Sequence, residues 1–152
     1  MEDQERKGYH LVAAHIRGVQ AWMGHVATLW NNRLVGHDQS KYSTPESALI
    51  REKARLDSLP FDTSEYHEAL AQIKSAVQAH YEANTHHPEH YPNGVLDMSL
   101  LDLMEMICDW RVAAEMNGTE LMQSFDKCVE RFNIPPDLRA VLLNTYKEVN
   151  WL

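Results

Sequence analysis

Nine histidines stand in a chain of 152 residues, and four of them fall between positions 80 and 90. Imidazole is the commonest metal ligand and the side chain that titrates nearest neutrality, so this density points first to metal or proton chemistry. The stretch GHDQSK, residues 36–41, places His37 directly before Asp38 and Lys41 three residues after it. A His-Asp dipeptide alone is frequent by chance. It gains meaning where other ligand types point the same way. Adjacent side chains diverge, so His37 and Asp38 share an ion only where the chain bends, which the polar segment around them permits. The Asp38 carboxylate can also bridge two ions, which an imidazole cannot.

Further candidates lie on helical patterns. His15 sits in the middle of the stripe Leu11, Val19, Trp22, Val26 and Leu29, which turns it inward; His10 points away and His25 lies on the flank. His80 continues the stripe Tyr66, Leu70, Ile73 and Val77 and ends near Asn84. Each alone reads as a satisfied core histidine. Two inward imidazoles on separate helices each need partners for both ring nitrogens. In THHPEHY, His86 and His87 are adjacent on a loop, so one of them can enter a site, and His90 reads as solvated. Asp102, Glu105 and Asp109 share a face of MSLLDLMEMICDWRVAAEM opposite Leu100, Leu103, Met104 and Ile107. By itself that is a wet acidic side. Met98, Leu101 and Val112 flank the acids, however, so the helix reads as central, and acids on a central helix need cationic partners. The assembled set is His15, His37, Asp38, His80, His86 or His87, and Asp109. Imidazole and carboxylate without thiolate suit one or two ions of Mn, Fe, Zn, Ni or Co rather than Ca.

The elements that must position these groups are helical nearly throughout. A first helix spans 4–31. Thr44 and Pro45 in TPES read as an N-cap with Pro at N1, starting a second helix near Pro45. A third covers about 63–84, a fourth about 98–116, a fifth 119–132 and a sixth about 136–150. The segment NTHHPEHYPNG is a loop, and no convincing strand pattern appears. The expected fold is all-α: one compact bundle of about six helices spanning 1–152 as a single domain. The segment after about 117 carries no site signal and reads as packing or a self-contact that would make a homo-oligomer.

The net charge of −8 argues against nucleic acid or an anionic membrane as the main partner, because both call for clustered Lys and Arg. The two cysteines, Cys108 and Cys128, form no CxxC pair. The start MEDQERKGYH has no apolar signal core, and a reducing, cytoplasmic setting is expected.

The order of these motifs resembles the HD superfamily of metal-dependent phosphohydrolases. HDQSK is similar to that family's segment of HD, two residues and Lys; HYEANTHHPEHYPNG resembles its His-bearing loop after a helix; EMICDW resembles its late helix carrying the last Asp. A closer likeness is to short bacterial and phage proteins that share HI..V, HD.SK, N.HHPE and E...DW, here HIRGV, HDQSKY, NTHHPE and EMICDW, over roughly residues 10–115. The resemblance implies an HD-like helical fold with His15, His37, Asp38 and Asp109 around one metal, and His80 with His86 or His87 completing a second. It implies that Lys41 neutralises a substrate phosphate and that Glu105 orients a ligand or water. Two departures stand out. His15 and His37 are only 22 residues apart, which keeps His25 as a rival first ligand, and the loop lacks a full GYP, so cyclic-dinucleotide hydrolysis is not implied.

The expected function is therefore a metal-dependent phosphohydrolase acting on a nucleotide or another small phosphomonoester. Asp38, Lys41 and Glu105 would serve the chemistry, with Arg111 a weaker candidate for the phosphate. One rival is an HD-fold di-iron oxygenase. The other is a non-enzymatic module that binds a nucleotide or protein.

Overall fold

A computed structural model of the chain describes residues 2–43, 46–56, 58–60 and 63–152, the Glu2 side chain apart. Every regular element among them is helical: α1 (Glu2–Gly36), α2 (Ala48–Leu56), α3 (Ser64–Ala83), α4 (Leu100–Met116), α5 (Leu121–Arg131) and α6 (Pro136–Glu148), with short 3-10 turns at Gln39–Tyr42, Pro88–His90 and Gly94–Asp97. The all-α expectation holds. The expected cap at Thr44 and Pro45 lies outside the described residues. By its internal contacts the chain divides into two units, Met1–His37 and Asp38–Leu152.

The first unit is α1 alone. It runs five residues past the expected end at 31, because NNRLV contains no proline to stop it. Its stripe is exposed: Leu11, Val19, Trp22, Val26 and Leu29 all keep substantial surface. His15 and His25 are exposed as well. The sequence pattern turns His15 inward, but a unit made of one helix has no second element of its own to turn toward.

The second unit opens at Asp38, whose φ of 55° lies in the left-handed region. Asp tolerates that region better than most residues because its short polar side chain is sterically lenient there. This left-handed residue leads into the Gln39–Tyr42 turn. Helix α3 starts on a working cap: the Thr63 side chain accepts from the Tyr66 amide at 3.2 Å. Its buried line is Ala69, Ala76 and His80, while Tyr66, Leu70, Ile73 and Val77 are half-buried. Small residues on the inner line bring α2 and α3 close.

Helix α4 is the centre of the unit. It buries Leu103, Met106, Ile107 and Trp110 together with Asp102 and Glu105, whereas Leu100 and Met104 are exposed. The placement of Leu100 and Met104 on the inner face is thus corrected, while the burial of Asp102 and Glu105 fits a central helix. The acids go inward because each finds partners there. The segment after 117 supplies most of the remaining core. Phe125, Ile134, Leu142 and Tyr146 pack on α4, Trp110 stacks on Phe132 at 5.7 Å between centroids, and Trp151 folds back to meet Tyr146 edge-on at 5.1 Å. This is the packing role its sequence suggests. None of the described helices is long and apolar enough to cross a membrane.

A candidate metal centre

Four ligand atoms of the second unit, one each from Asp38, His80, His86 and His87, lie within 4.8 Å of one another. Asp38 comes from the left-handed position before the Gln39–Tyr42 turn, His80 from the last turn of α3, and His86 and His87 from the loop that follows. His80 Nε2 is 2.8 Å from His87 Nε2 and 3.4 Å from Asp38 Oδ1, and His86 Nε2 is 3.5 Å from the same Oδ1. His80 and His86 are buried, and Asp38 and His87 are half-buried.

The far nitrogens of the two buried rings are both held by carboxylates. His80 Nδ1 meets Glu46 Oε2 at 2.8 Å, and His86 Nδ1 meets Glu105 Oε1 at 3.2 Å. A carboxylate accepts hydrogen bonds, so each Nδ1 carries its ring's hydrogen and each Nε2 is left with a lone pair. Two lone pairs and a carboxylate oxygen then face a common point. Like partial charges gathered in that way favour a cation between them. Carboxylate–imidazole pairs of this kind are the usual outer support of metal-bound histidine.

The positive charge of the His87 ring is suppressed. Burial, and then the neighbouring imidazoles His86 and His80, push its pKa down to about 3, while Asp38 pulls the other way. It is therefore neutral at pH 7; in the metal-free protein its Nε2–H donates to the His80 Nε2 lone pair at 2.8 Å, and moving that hydrogen to Nδ1 turns a lone pair to the centre. The unfolded chain takes up this proton near pH 6.5, whereas the folded one resists it until about pH 3, so the unfolded state binds more protons in between. The contribution is whole above about 6.5 and is lost as pH falls toward about 3. The urea midpoint of the metal-free protein is accordingly expected to drop through that window, and His87→Gln to flatten the slope. An unchanged slope in that variant would assign the acid sensitivity elsewhere.

Around the centre, the Lys41 ammonium pairs with Asp38 Oδ2 at 2.5 Å. A carboxylate oxygen of Asp109, half-buried on α4, approaches one of Asp38 within 4.8 Å. Ser40 Oγ donates to Glu46 Oε2 at 2.8 Å. The loop itself is clamped to α4 by Asp102. That carboxylate accepts from Thr85 Oγ1 (2.7 Å), Tyr91 OH (3.0 Å), Ser99 N (2.8 Å) and Ser99 Oγ (2.6 Å). Thr85 and Tyr91 bracket His86 and His87, so a single buried side chain secures both ends of the ligand loop.

Of the residues singled out in the sequence, Asp38, His80, His86, His87, Lys41, Glu105 and Asp109 are thus neighbours in the second unit. His37 is half-buried and closes the first unit immediately before Asp38. His15 and His25 belong to no cluster of potential ligands among the described residues. His90 turns to the Tyr81 carbonyl at 3.1 Å. Arg111 is engaged by Glu115 at 2.7 Å and lies over the Trp151 ring. The sequence pattern missed Glu46, which it counted only as part of a helix start, and it missed the clamping role of Asp102. Unexplained acids beside a Pro-bearing cap and at position N3 of α4 were the available signals.

A family model described as a family of unknown function, DUF5662, matches residues 4–148. No curated protein and no solved structure matches the chain.

Proposed function

The chain belongs to that family, DUF5662, and we propose that it is a metal-dependent phosphohydrolase of HD type acting on a nucleotide or another small phosphomonoester. The observation that carries the metal is the paired arrangement just described: Glu46 and Glu105 hold the Nδ1 atoms of His80 and His86, so that both Nε2 atoms face Asp38 Oδ1. The donor set fits the group. Three imidazole nitrogens and a carboxylate oxygen, with no thiolate, suit Mn, Fe, Co, Ni or Zn.

A bound ion would supply Lewis acidity and lower the pKa of water at the site. The chain's own groups account for the rest. Asp38, His80, His86 and His87 hold the ion, and the outer carboxylates keep the two buried rings in the binding tautomer. Lys41 places a positive charge beside Asp38, where it can offset the charge of a phosphoryl oxygen. Its half-exposed side chain is free to turn from Asp38 toward a ligand. Asp109 adds a carboxylate able to accept a proton from water near Asp38.

The test is turnover over a panel of nucleotides and small phosphomonoesters with Mn, Co, Zn, Ni or Fe added back after chelation. Metal-dependent phosphate release, lost on chelation, is the expected result. About two irons per chain with oxygen consumption and no phosphate release would move the reading to an oxygenase. Nucleotide binding that survives chelation, without turnover, would make the protein a binding module.

A further inference from the structure

Glu46 is as deeply buried as the imidazole it touches. Ser40 Oγ donates to the same Oε2 that His80 meets. This carboxylate is therefore aimed and held. His80 Nδ1 has a second neighbour, Asn84 Nδ2, at 2.9 Å. The two neighbours call for opposite tautomers. Glu46 accepts, which places the hydrogen on Nδ1 and frees Nε2. Asn84 can donate, which would leave Nδ1 bare and place the hydrogen on Nε2, facing His87 Nε2 at 2.8 Å and Asp38 Oδ1 at 3.4 Å.

We infer that Glu46 is a positioning residue that selects the metal-binding tautomer of His80 against the competing Asn84 amide. A hydrogen bond to a carboxylate is about twice as strong as a neutral one, so Glu46 wins the choice while it is present. The Asn84 amide also has other acceptors, the His80 carbonyl at 2.8 Å and Ser40 Oγ at 3.0 Å, which hold it away from the ring nitrogen's lone-pair role. Without Glu46, Asn84 takes over Nδ1, and a hydrogen on Nε2 blocks a ligand position. The inference rests on the metal reading above. Glu105 does the same for His86, whose Nδ1 it meets at 3.2 Å.

The probe is Co(II), titrated into metal-free protein and followed through its visible absorption bands as well as its affinity. Glu46→Ala is expected to weaken Co(II) binding about 10–100-fold, the usual effect of losing an outer carboxylate. Glu46→Gln keeps an acceptor of the same shape and is expected to lose less and to shift the bands. The double variant Glu46→Ala, Asn84→Ala removes the competing donor and is expected to regain part of the lost affinity. A purely structural Glu46 would instead lower the melting temperature of the metal-free protein and leave the Glu46→Gln spectrum unmoved. That result, or a double variant weaker than Glu46→Ala alone, overturns the inference while leaving the metal centre standing. Should Glu46→Ala not fold, Glu46→Gln decides by its spectrum. A wild-type protein that gives no Co(II) bands at all removes the metal reading itself, and the positioning role with it.

Discussion

Asp38→Asn is expected to keep the fold and lose the metal. Asn is the safest replacement because Asp38 sits at a φ of 55°, where Asn is tolerated and Ala is strained by about 1–2 kcal/mol. The exchange keeps the shape and removes the charge that faces His80 Nε2 and His86 Nε2. A ligand lost outright should cost more than the about 10–100-fold that an outer partner costs, so affinity should fall beyond 100-fold and turnover with it. Stability of the metal-free protein should stay within about 1 kcal/mol of wild type, since Asn keeps the shape and tolerates the backbone conformation, and Lys41, which loses its charged partner, is half-exposed. Metal analysis by plasma mass spectrometry on both proteins, beside urea melts, separates the two effects. Equal metal in the two proteins would remove Asp38 from the centre.

Asp102→Ala is expected to give the largest loss of stability near the site, about 3 kcal/mol or more. Four donors converge on this buried carboxylate, and a buried donor left without its acceptor costs about 1–3 kcal/mol. The same change frees both ends of the loop that carries His86 and His87. Metal affinity should therefore fall even well below the melting temperature. Urea melts read the first effect and Co(II) titration in the cold reads the second. A variant that melts early but binds Co(II) as wild type does would show that the loop is held without its clamp.

Both predictions turn on contacts that differ in how far sequence alone could reach them. Helix periods are local, and α3 to α6 begin and end close to where spacing and caps placed them. The loop histidines stood out because two imidazoles between Pro and Asn have no local structural use. Asp38 stood out through its neighbours His37 and Lys41. What stayed hidden was pairing at a distance. Glu46 and His80 are 34 residues apart, and Glu105 reaches back across a loop to His86. Nothing in the period of α4 tells whether an acid on its flank meets water or a buried ring, and for Asp102 and Glu105 the answer came from what lies opposite.

The sequence by itself determined the helices, the ligand types and the loop that delivers two of them, because those depend on neighbours a few residues away. Only the tertiary structure decided which histidines converge, which way each imidazole carries its hydrogen, and that the acids of α4 are buried supports rather than a wet face. Those outcomes depend on the distance between side chains far apart in the chain, which helical periodicity does not encode.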